Sequence, residues 1–447
     1  MNHRMDQLKA AMEIFKAGVG SVLPKNLIRN HIVLKENILS CRDVHMDLAD
    51  YQHIFLVGFG KASAEMAQTM ELILENRITG GHILTKYGHS VPLRFVSVSE
   101  AGHPVPDQNG TEGTVKIMEI VRKATVNDLV IVLISGGGSA LLTDLPAGIG
   151  LEDLSKVNSQ LINSGADIRE INAVRKHISH LKGGQLVRLA SPAAVLSLIL
   201  SDVVGDRLEV IASGPTVADS STFEDALQVL EKYHLESTIP KPVSEYLRLG
   251  KSGLLPETVK ENDPCLHRTM NLLLGNNLTA LIESQKKAEE FGYEATIVSH
   301  VIDGDVSDVA NFIMVQTMNA ARGTGKRKKA LLFGGEPTVR NTGHGKGGRN
   351  QHLALLIAQK LSGTQGIVFL SAGTDGSDGP TDAAGAVCDG TTVEKAKKMN
   401  LDAQEYLQNF DSYHFFDAMN GLIKTGPTCT NVMDLMIVLI DGRLLSM

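Results

Sequence analysis

Basic side chains stand among closely spaced glycines in the stretch GGEPTVRNTGHGKGGRNQ. Lys346 and Arg349 follow an apolar run at 330–333, which has the length of a buried strand, and Asn350 is of a type that caps helices. Glycines let backbone N–H groups approach an anion, and a helix start adds N–H donors and the positive end of its dipole. The order of strand, basic glycine loop and helix therefore predicts an anion site. A flexible surface loop is the alternative interpretation.

A similar pattern occurs near the N-terminus, where an apolar run at 54–57 leads into Gly58, Gly60 and Lys61 before a helical pattern begins. The order resembles half of a dinucleotide fingerprint. However, the next predicted strand, 81–86, ends in a lysine where an NAD site has an acid for the ribose. We therefore predict that these three residues bind a phosphate or carboxylate. A solvated lysine is the alternative.

A third glycine cluster joins a buried strand to a helical pattern through Ser135, Gly136, Gly137, Gly138 and Ser139. Consecutive glycines in this position predict a second anion cradle, with the two seryl hydroxyls as additional donors. The segment lacks the GxxxxGK[ST] pattern, so it is not a P-loop. Tight packing between strand and helix is the alternative explanation.

Polar residues follow other predicted strands. Asp202 comes after a strand at 195–200, at the sheet edge where α/β proteins bind ligands, and is predicted to hold a metal or accept a hydrogen bond from a substrate hydroxyl. An N-cap or turn is the alternative for this aspartate. Asn276 follows a shorter strand at 272–274, and Glu336 is the single carboxylate beside the first glycine stretch. Both are predicted to contact substrate or nucleotide.

Acidic side chains crowd the loop after a predicted strand at 367–370. Mg²⁺ beside phosphates is typically held by one or two carboxylates, so Asp375 and Asp378 are the predicted metal ligands. The spacing is not that of an EF-hand, and a merely polar turn is the alternative.

Strand and helix patterns alternate along the chain, which predicts the α/β class with parallel strands covered by helices. The first half is predicted to be a Rossmann-like, three-layer domain, and the alternation restarts in the second half. At 447 residues the chain has room for two or three domains. Prolines near residue 240 predict the junction, giving domains at 1–240 and 241–447.

Composition excludes several classes of protein. The 43 basic and 50 acidic residues give a net charge of −7, which argues against a nucleic-acid partner. The longest mainly apolar run, 193–200, is too short to span a bilayer. Four widely spaced cysteines indicate neither a zinc site nor a disulfide framework. These features favour a cytoplasmic protein. Organellar import stays open, and so does the oligomeric state, with a homo-oligomer as one option.

Three glycine-rich strand ends, local cations and clustered acids together suggest phosphoryl transfer, which depends on positioning and on charge neutralisation by Mg²⁺, Lys and Arg. The residue pattern alone indicates this class of reaction and does not identify the substrate. The rivals are an NAD-linked hydroxypyruvate reductase and a non-catalytic protein that binds small anions.

The chain resembles the glycerate 2-kinases, a family whose C-terminal part is called the MOFRL domain (about residues 330–440 here). The matching segments span nearly the whole chain in order: GFGKAS, AGHPVPD, ISGGGSALL, VRKHISHLKGGQL, SDVVGDRLEVIASGPT, LGNN, GGEPTV, GHGKGGRNQ, TDGSDGPTDAAGA and TGPT. The resemblance implies two α/β domains with the active site in a cleft between them. It also implies ATP-dependent phosphorylation of D-glycerate to 2-phosphoglycerate with Mg²⁺, and places the family's active-site lysine and arginine at Lys61 and Arg349.

Two positions depart from the family pattern. His352 stands where the family commonly has an acid, and Cys429 stands where a smaller residue is common. Any metal or hydroxyl contact made by that acid in the family is therefore in doubt for this chain.

Overall fold

The computed structural model describes residues 2–340 and 343–445. Its helices are α1 (Asn2–Ser21), α2 (Pro24–His31), α3 (Ser63–Leu74), α4 (Gln108–Arg122), α5 (Gly138–Leu141), α6 (Leu151–Asn163), α7 (Ile168–His177), α8 (Gln185–Ala190), α9 (Phe223–Lys232), α10 (Lys241–Lys251), α11 (Asn277–Glu290), α12 (Val306–Arg322), α13 (Arg349–Lys360), α14 (Thr392–Lys398), α15 (Ala403–Gln408) and α16 (Ser412–Ala418). Within this described part, each helix is too short or too polar to cross a membrane.

The strands are β1 (Ile32–Lys35), β2 (Ile38–Cys41), β3 (Val44–Asp47), β4 (His53–Phe59), β5 (Gly80–Lys86), β6 (Ser97–Ala101), β7 (Asp128–Ile134), β8 (Ala194–Leu200), β9 (Thr269–Gly275), β10 (Glu294–Ile302), β11 (Lys328–Gly335), β12 (Ile367–Gly373), β13 (Gly385–Asp389), β14 (Leu422–Ile423) and β15 (Asp434–Asp441). Short 3-10 turns occur at Leu48–Asp50, Glu75–Arg77, Ile211–Ser213 and Pro264–Arg268.

The chain divides into two compact units, which differ in extent from the domains predicted at 1–240 and 241–447. The first unit is Leu27–Leu274, and the second combines Met1–Asn26 with Gly275–Met447. The first unit extends past residue 240 because α10 packs against α9 in one apolar cluster and β9 joins the edge of the sheet at β8. The proline-rich stretch therefore belongs to the first unit.

The main sheet of the first unit has the order β6-β5-β4-β7-β8-β9. When its six strands are numbered in chain order from β4, this is the 3-2-1-4-5-6 order of the doubly wound Rossmann fold. Strand β4 pairs in parallel with both β5 and β7. The prediction of a Rossmann-like α/β domain is confirmed. The strand order reverses between β4 and β7, which is where such sheets bind their ligands.

Buried apolar side chains of this unit form one cluster on the sheet and another among helices. Val57 and Phe59 of β4 pack with Ile117 and Val121 of α4, while all seven residues of β7 are buried. Burial of both faces is typical of parallel sheets between helices. A second apolar cluster joins α6, α7, α9 and α10.

The sheet of the second unit has the order β10-β11-β15-β12-β13-β14 and is mixed rather than parallel. The last strand, β15, is fully buried and runs antiparallel to both neighbours, β11 and β12. The repeated strand and helix pattern identified α/β structure correctly. It could not show that the chain's final strand enters the middle of the sheet, because pairing across such a sequence separation is set by tertiary packing.

Helix α1 belongs to the second unit, where it packs against α11. Gly18 makes the close approach possible: a Cβ at this position would lie 2.3 Å from the Ser284 Oγ and 3.0 Å from the Ala280 carbonyl oxygen. The Ser284 hydroxyl also donates to the Ile14 carbonyl oxygen at 3.2 Å. Helix α1 is therefore a structural part of this unit.

We expect Gly18→Val to destabilise the second unit by about 1–3 kcal/mol, since the added side chain overfills the α1–α11 contact. The matched control is Gly20→Val on the same helix, where a Cβ would meet nothing within 4 Å. Chemical denaturation of both variants measures the difference. Equal stability of the two would contradict this description of the packing.

Candidate active site

The glycine turns that follow β4 and β7 are locked together by hydrogen bonds. The Lys61 N–H donates to the Gly136 carbonyl oxygen at 2.9 Å, and the Ala62 N–H donates to the Ser135 Oγ at 3.0 Å. Gly60 has φ +123°, and a Cβ there would lie 2.3 Å from the Ser135 Oγ. Only glycine therefore fits this position, and the two predicted anion loops form one structure at the switch point of the sheet.

Lys61 is fixed at this junction by its backbone. Its carbonyl oxygen accepts hydrogen bonds from the Thr85 Oγ1 at 3.4 Å and from the His89 Nδ1 at 3.1 Å. A Cβ added to Gly137 would meet the Lys61 Cγ at 3.5 Å and the His103 Cδ2 at 2.8 Å. The structure thus brings the Lys61 stem, the His103 ring and the Gly137 backbone together.

Three residues predicted to bind ligand have packing or turn roles instead. Gly58 lies inside β4, where a Cβ would be 2.9 Å from the Leu133 Cβ. Ser135 is 1% exposed, and its hydroxyl oxygen accepts the turn hydrogen bond described above. Gly138 has room for no Cβ because the Ala212 Cβ would be 2.8 Å away. These contacts show how the three residues shape the glycine turns, and ligand binding by them stays a prediction.

Ser139 and Asp202 lie at the same edge of the sheet as Lys61. Ser139 follows Gly137 and begins a hydroxyl chain, with its Oγ 2.9 Å from the Ser213 Oγ. Ser213 in turn donates to the Asn172 Oδ1 at 3.1 Å. Asp202 follows the end of β8 and is partly exposed. The helix after the glycines, α5, has only four residues, so it contributes little of the predicted dipole.

Arg349, in the second unit, is held by two carboxylates. Its Nε and Nη2 donate to the two Asp434 oxygens at 2.6 and 3.0 Å, and its Nη1 donates to the Glu336 Oε1 at 2.6 Å. Burial opposes the charge, but Asp434 and Glu336 outweigh it and raise the pKa of the guanidinium above its usual value. Arg349 is therefore a fixed cation with part of its donor fork already used.

Asp434 is a site residue that the sequence reasoning missed. It is completely buried at the start of β15, opposite Gly335 of β11 and Gly373 of β12. Glycine on both sides leaves room for the bidentate pair with Arg349. The available signal was an acid inside the otherwise apolar run VMDLMIVLI, because a buried acid needs a partner.

The N-terminus of α13 does hold an anion, but the anion is the protein's own. The Asp378 carboxylate accepts the Asn350 N–H at 3.1 Å and the Gln351 N–H at 2.9 Å. Gly348 is the N-cap residue, and Asn350, predicted to be the cap, lies within the helix and accepts a hydrogen bond from Ser371 at 2.6 Å. These N–H donors are therefore already used by a side chain of the protein, and a ligand anion bound by this loop stays a prediction.

Asp378 does not fit the predicted metal site. It is buried, both oxygens accept backbone N–H groups, and burial raises its pKa to about 7. Asp375 is partly exposed, and one of its oxygens accepts hydrogen bonds from the Ser377 N–H and hydroxyl at 3.0 and 3.1 Å. In the described part of the chain, no group of three or more His, Cys, Asp or Glu is arranged for a metal ion.

The glycine-rich loop before α13 packs onto neighbouring segments. The Gly345 N–H donates to the Asn409 carbonyl oxygen at 2.8 Å, and the Lys346 N–H donates to the Asp411 Oδ1 at 2.9 Å. The Lys346 ammonium lies 4.2 Å from the centre of the Tyr413 ring. These backbone donors are thus used inside the unit, and Lys346 makes a cation–π contact. Asn276 likewise caps α11 by accepting the Thr279 N–H at 3.0 Å.

His352 is partly buried and stacks on Phe410, with ring centres 4.7 Å apart and planes inclined by 23°. Burial lowers its pKa to about 4, and its Nδ1 is a buried atom with no hydrogen-bond partner in the described residues. The position that commonly carries an acid in the family therefore carries a neutral aromatic ring here.

Two family models match the chain: Domain of unknown function (DUF4147) over residues 10–248 and the MOFRL family over residues 329–434. The D-glycerate 2-kinase of Thermotoga maritima is 42% identical, over 97% of this chain and 98% of that protein. The chain belongs to the glycerate 2-kinase family. Members of this family are phosphotransferases with an alcohol group as acceptor.

Further comparisons agree on the fold and add a second name. A crystal structure of glycerate kinase from Thermotoga maritima matches with a TM-score of 0.85 at 40% identity, covering 98% of this chain and 100% of that one. A protein of Agrobacterium vitis, provisionally named as a hydroxypyruvate reductase, is 39% identical over 86% of this chain and 98% of its own length.

We expect Asp434→Asn to destabilise the second unit by about 2–4 kcal/mol, because it leaves the Arg349 cation with an incomplete partner in a buried site. The control is Asp382→Asn, which breaks the exposed pair with Lys424 and is expected to cost less than about 1 kcal/mol. Urea denaturation compares the two. A smaller loss in Asp434→Asn than in the control would show that the Arg349 pair is not structural.

The neutral state of His352 has a consequence at low pH. Its pKa is about 4 in the folded protein against 6.5 unperturbed, so the unfolded chain binds more protons between these values. Stability is therefore lost as pH falls from about 6.5 to about 4, on the order of 2 kcal/mol. His352→Phe keeps the stack and should remove this part of the loss, which denaturation at several pH values measures. Parallel pH profiles for the two proteins would contradict it.

Proposed function

We propose that the protein is an ATP-dependent D-glycerate 2-kinase that forms 2-phosphoglycerate and ADP. The observation that carries the proposal is the position of Lys61. Two locked glycine turns hold this cation at the switch point of a Rossmann-like sheet, within a family of glycerate 2-kinases. Membership of the family gives the class of reaction. Lys61 is a positioned cation that could neutralise charge on the transferring phosphoryl group.

In the proposed reaction the oxygen of the glycerate 2-hydroxyl attacks the γ-phosphorus of ATP. The bond between that phosphorus and the β–γ bridging oxygen breaks, ADP leaves, and the hydroxyl proton is released. Lys61 would neutralise charge on the transferring phosphoryl group. Arg349 is the second proposed catalytic cation, through the Nη hydrogens not bound to Asp434 or Glu336. Asp202 would accept a hydrogen bond from the substrate hydroxyl. Mg²⁺, when bound, would add positive charge on the phosphates, with Asp375 as a ligand.

A hydroxypyruvate reductase is the second candidate because of the name given to the Agrobacterium vitis relative. The structure supplies an argument against a dinucleotide here. Strand β5, which pairs in parallel with β4, ends at Lys86 and not at the acid that binds the ribose of NAD. The kinase is therefore the better-supported function.

Two assays separate the candidates. Coupled ADP release with D-glycerate and ATP should show turnover, and phosphorus NMR of the product should show the phosphate on carbon 2. NADH oxidation with hydroxypyruvate should be absent. Turnover in the NADH assay alone would establish the reductase, and turnover in neither would favour a binding protein. Cytoplasmic location, the absence of a nucleic-acid partner and the oligomeric state stay predictions.

We expect Lys61→Met to lower kcat by about 10²-fold or more, since the stem against Gly137 is retained and only the charge is lost. The matched control is Lys116→Met on the exposed face of α4, with unchanged kcat expected. Steady-state kinetics on folded protein, checked by circular dichroism, measures both. Wild-type turnover in Lys61→Met would remove this residue from the mechanism.

A substitution that removed the charge of Arg349 would also break its buried ion pair with Asp434. The test of Arg349 therefore needs a variant that keeps the charge. Arg349→Lys keeps the charge but not the planar fork that matches a carboxylate and a phosphate at once. We propose that it loses turnover more than stability, and comparison with the stability of Asp434→Asn separates the two effects.

A further inference from the structure

A pocket of about 430 Å³ opens in the first unit beside the glycine turns. Gly137 and Ser139 form one end of it, together with His103. The remaining lining comes from α6, from Arg175 of α7 and from the segments at 104–106, 140–144 and 178–182. Because the Lys61 Cγ would be 3.5 Å from a Cβ on Gly137, the end of the pocket at Gly137 adjoins the lysine proposed to act on the phosphoryl group.

Arg175 of α7, which lines the pocket, is a cation with no counter-ion among the described residues. Arg175 is half-buried, and its one hydrogen bond to the described residues runs from Nε to the Asn158 Oδ1 at 2.7 Å. No carboxylate of those residues lies within 4 Å of it, and burial lowers the pKa of its guanidinium. Burying a charged group without a counter-ion costs free energy. The guanidinium of Arg175 therefore indicates that an anionic ligand binds here.

A second cation lines the same pocket. Lys182 is 6% exposed, and its Nζ donates to the Leu142 carbonyl oxygen at 2.6 Å. The nearby Asp144 carboxylate attracts it but is itself engaged by the Ser179 hydroxyl at 2.6 Å. The pocket therefore holds two cations and one carboxylate, a balance that suits a ligand with negative charge.

The rim of the pocket is apolar and exposed. Ile162 on α6 is 59% exposed and Val105 is 66% exposed, although both are large hydrophobic side chains. Leu154 and Ile178 continue the apolar lining inward. Exposed apolar side chains grouped around a pocket indicate a ligand with a flat, apolar part.

The size of the pocket favours a ligand larger than the three-carbon substrate. A volume of about 430 Å³ lies within the range of sites for drug-sized ligands and cofactors, and a three-carbon acid would fill only a small part of it. A ligand with an aromatic base, a sugar and a chain of phosphates has both the size and the distribution of charge.

We propose that this pocket binds the nucleotide, with the base against Ile162 and Val105 and the phosphates beside Arg175, Lys182 and Ser139. The terminal phosphate then extends toward Lys61. This assignment rests on the proposed kinase function for the identity of the ligand, and it adds residues of α6 and α7 that neither the motifs nor the family models assign to a role.

The test uses two variants of the full chain and a matched control for each. Arg175→Gln removes the charge on α7, and its control is Arg169→Gln, an exposed arginine on the same helix. Ile162→Asp removes the apolar rim, and its control is Leu254→Asp, a leucine 72% exposed elsewhere in this unit. Because Ile162 is exposed, its variant is expected to fold, which thermal denaturation checks.

Calorimetric titration with ADP and with adenosine, without glycerate, measures the pocket directly. Arg175→Gln should weaken ADP by about tenfold or more and adenosine by much less, since only ADP carries phosphates. Ile162→Asp should weaken both ligands. Both controls should bind as the natural protein does. ADP binding unchanged in the two variants would overturn the assignment.

Kinetics distinguish a wrong pocket from a wrong function. The KM for ATP should rise in both variants while the KM for D-glycerate stays within about twofold. A rise for D-glycerate alone would assign the pocket to the acid and overturn the proposal. If no kinase turnover is found but ADP binding is lost as expected, the nucleotide site stands and the proposed reaction fails. If turnover is normal and ADP binding is unchanged in both variants, the proposed reaction stands and the nucleotide assignment fails.

Discussion

The first unit depends on the hydrogen bonds that join its two glycine turns. Lys61 donates its N–H to the Gly136 carbonyl oxygen, and this contact forms only because Gly60 has no Cβ to strike Ser135. The strand order places β4 beside β7, so the turns meet where the sheet changes direction. Lys61, Gly137 and His103 are positioned by that junction. The function proposed for the protein therefore rests on a backbone contact as much as on any charged side chain.

In the second unit the main constraint is that charged side chains are buried or partly buried. Arg349 is neutralised by Asp434 and Glu336, and the start of α13 is neutralised by Asp378. Arg349 and Asp378 each have a partner inside the unit, which limits the free-energy cost of removing them from water. The proposed catalytic role of Arg349 thus relies on a side chain whose orientation is already fixed, and such preorganisation is what stabilisation of a transition state requires.

The two cations of the proposed mechanism therefore differ in their surroundings. Lys61 is placed by backbone hydrogen bonds at a sheet edge, whereas Arg349 is placed by a buried bidentate ion pair. Arg175, which lines the pocket of the first unit, has no carboxylate partner among the described residues. The contrast is informative, because an arginine with its own counter-ion is accounted for by folding and one without it calls for a ligand.

The sequence by itself determined the α/β class, the Rossmann-like first unit and the glycine turns at Gly60 and Gly137. These follow from local rules: apolar runs of strand length, helical periodicity and glycines at strand ends. The motif order also determined the family, which the full-length relatives confirm. Tertiary structure alone decided that α1 joins the second unit and that β15 enters the middle of its sheet. It also decided that Asp378 accepts hydrogen bonds from the start of α13 and that Asp434 pairs with Arg349. Each of these depends on which distant segment lies opposite, and no local pattern contains that information.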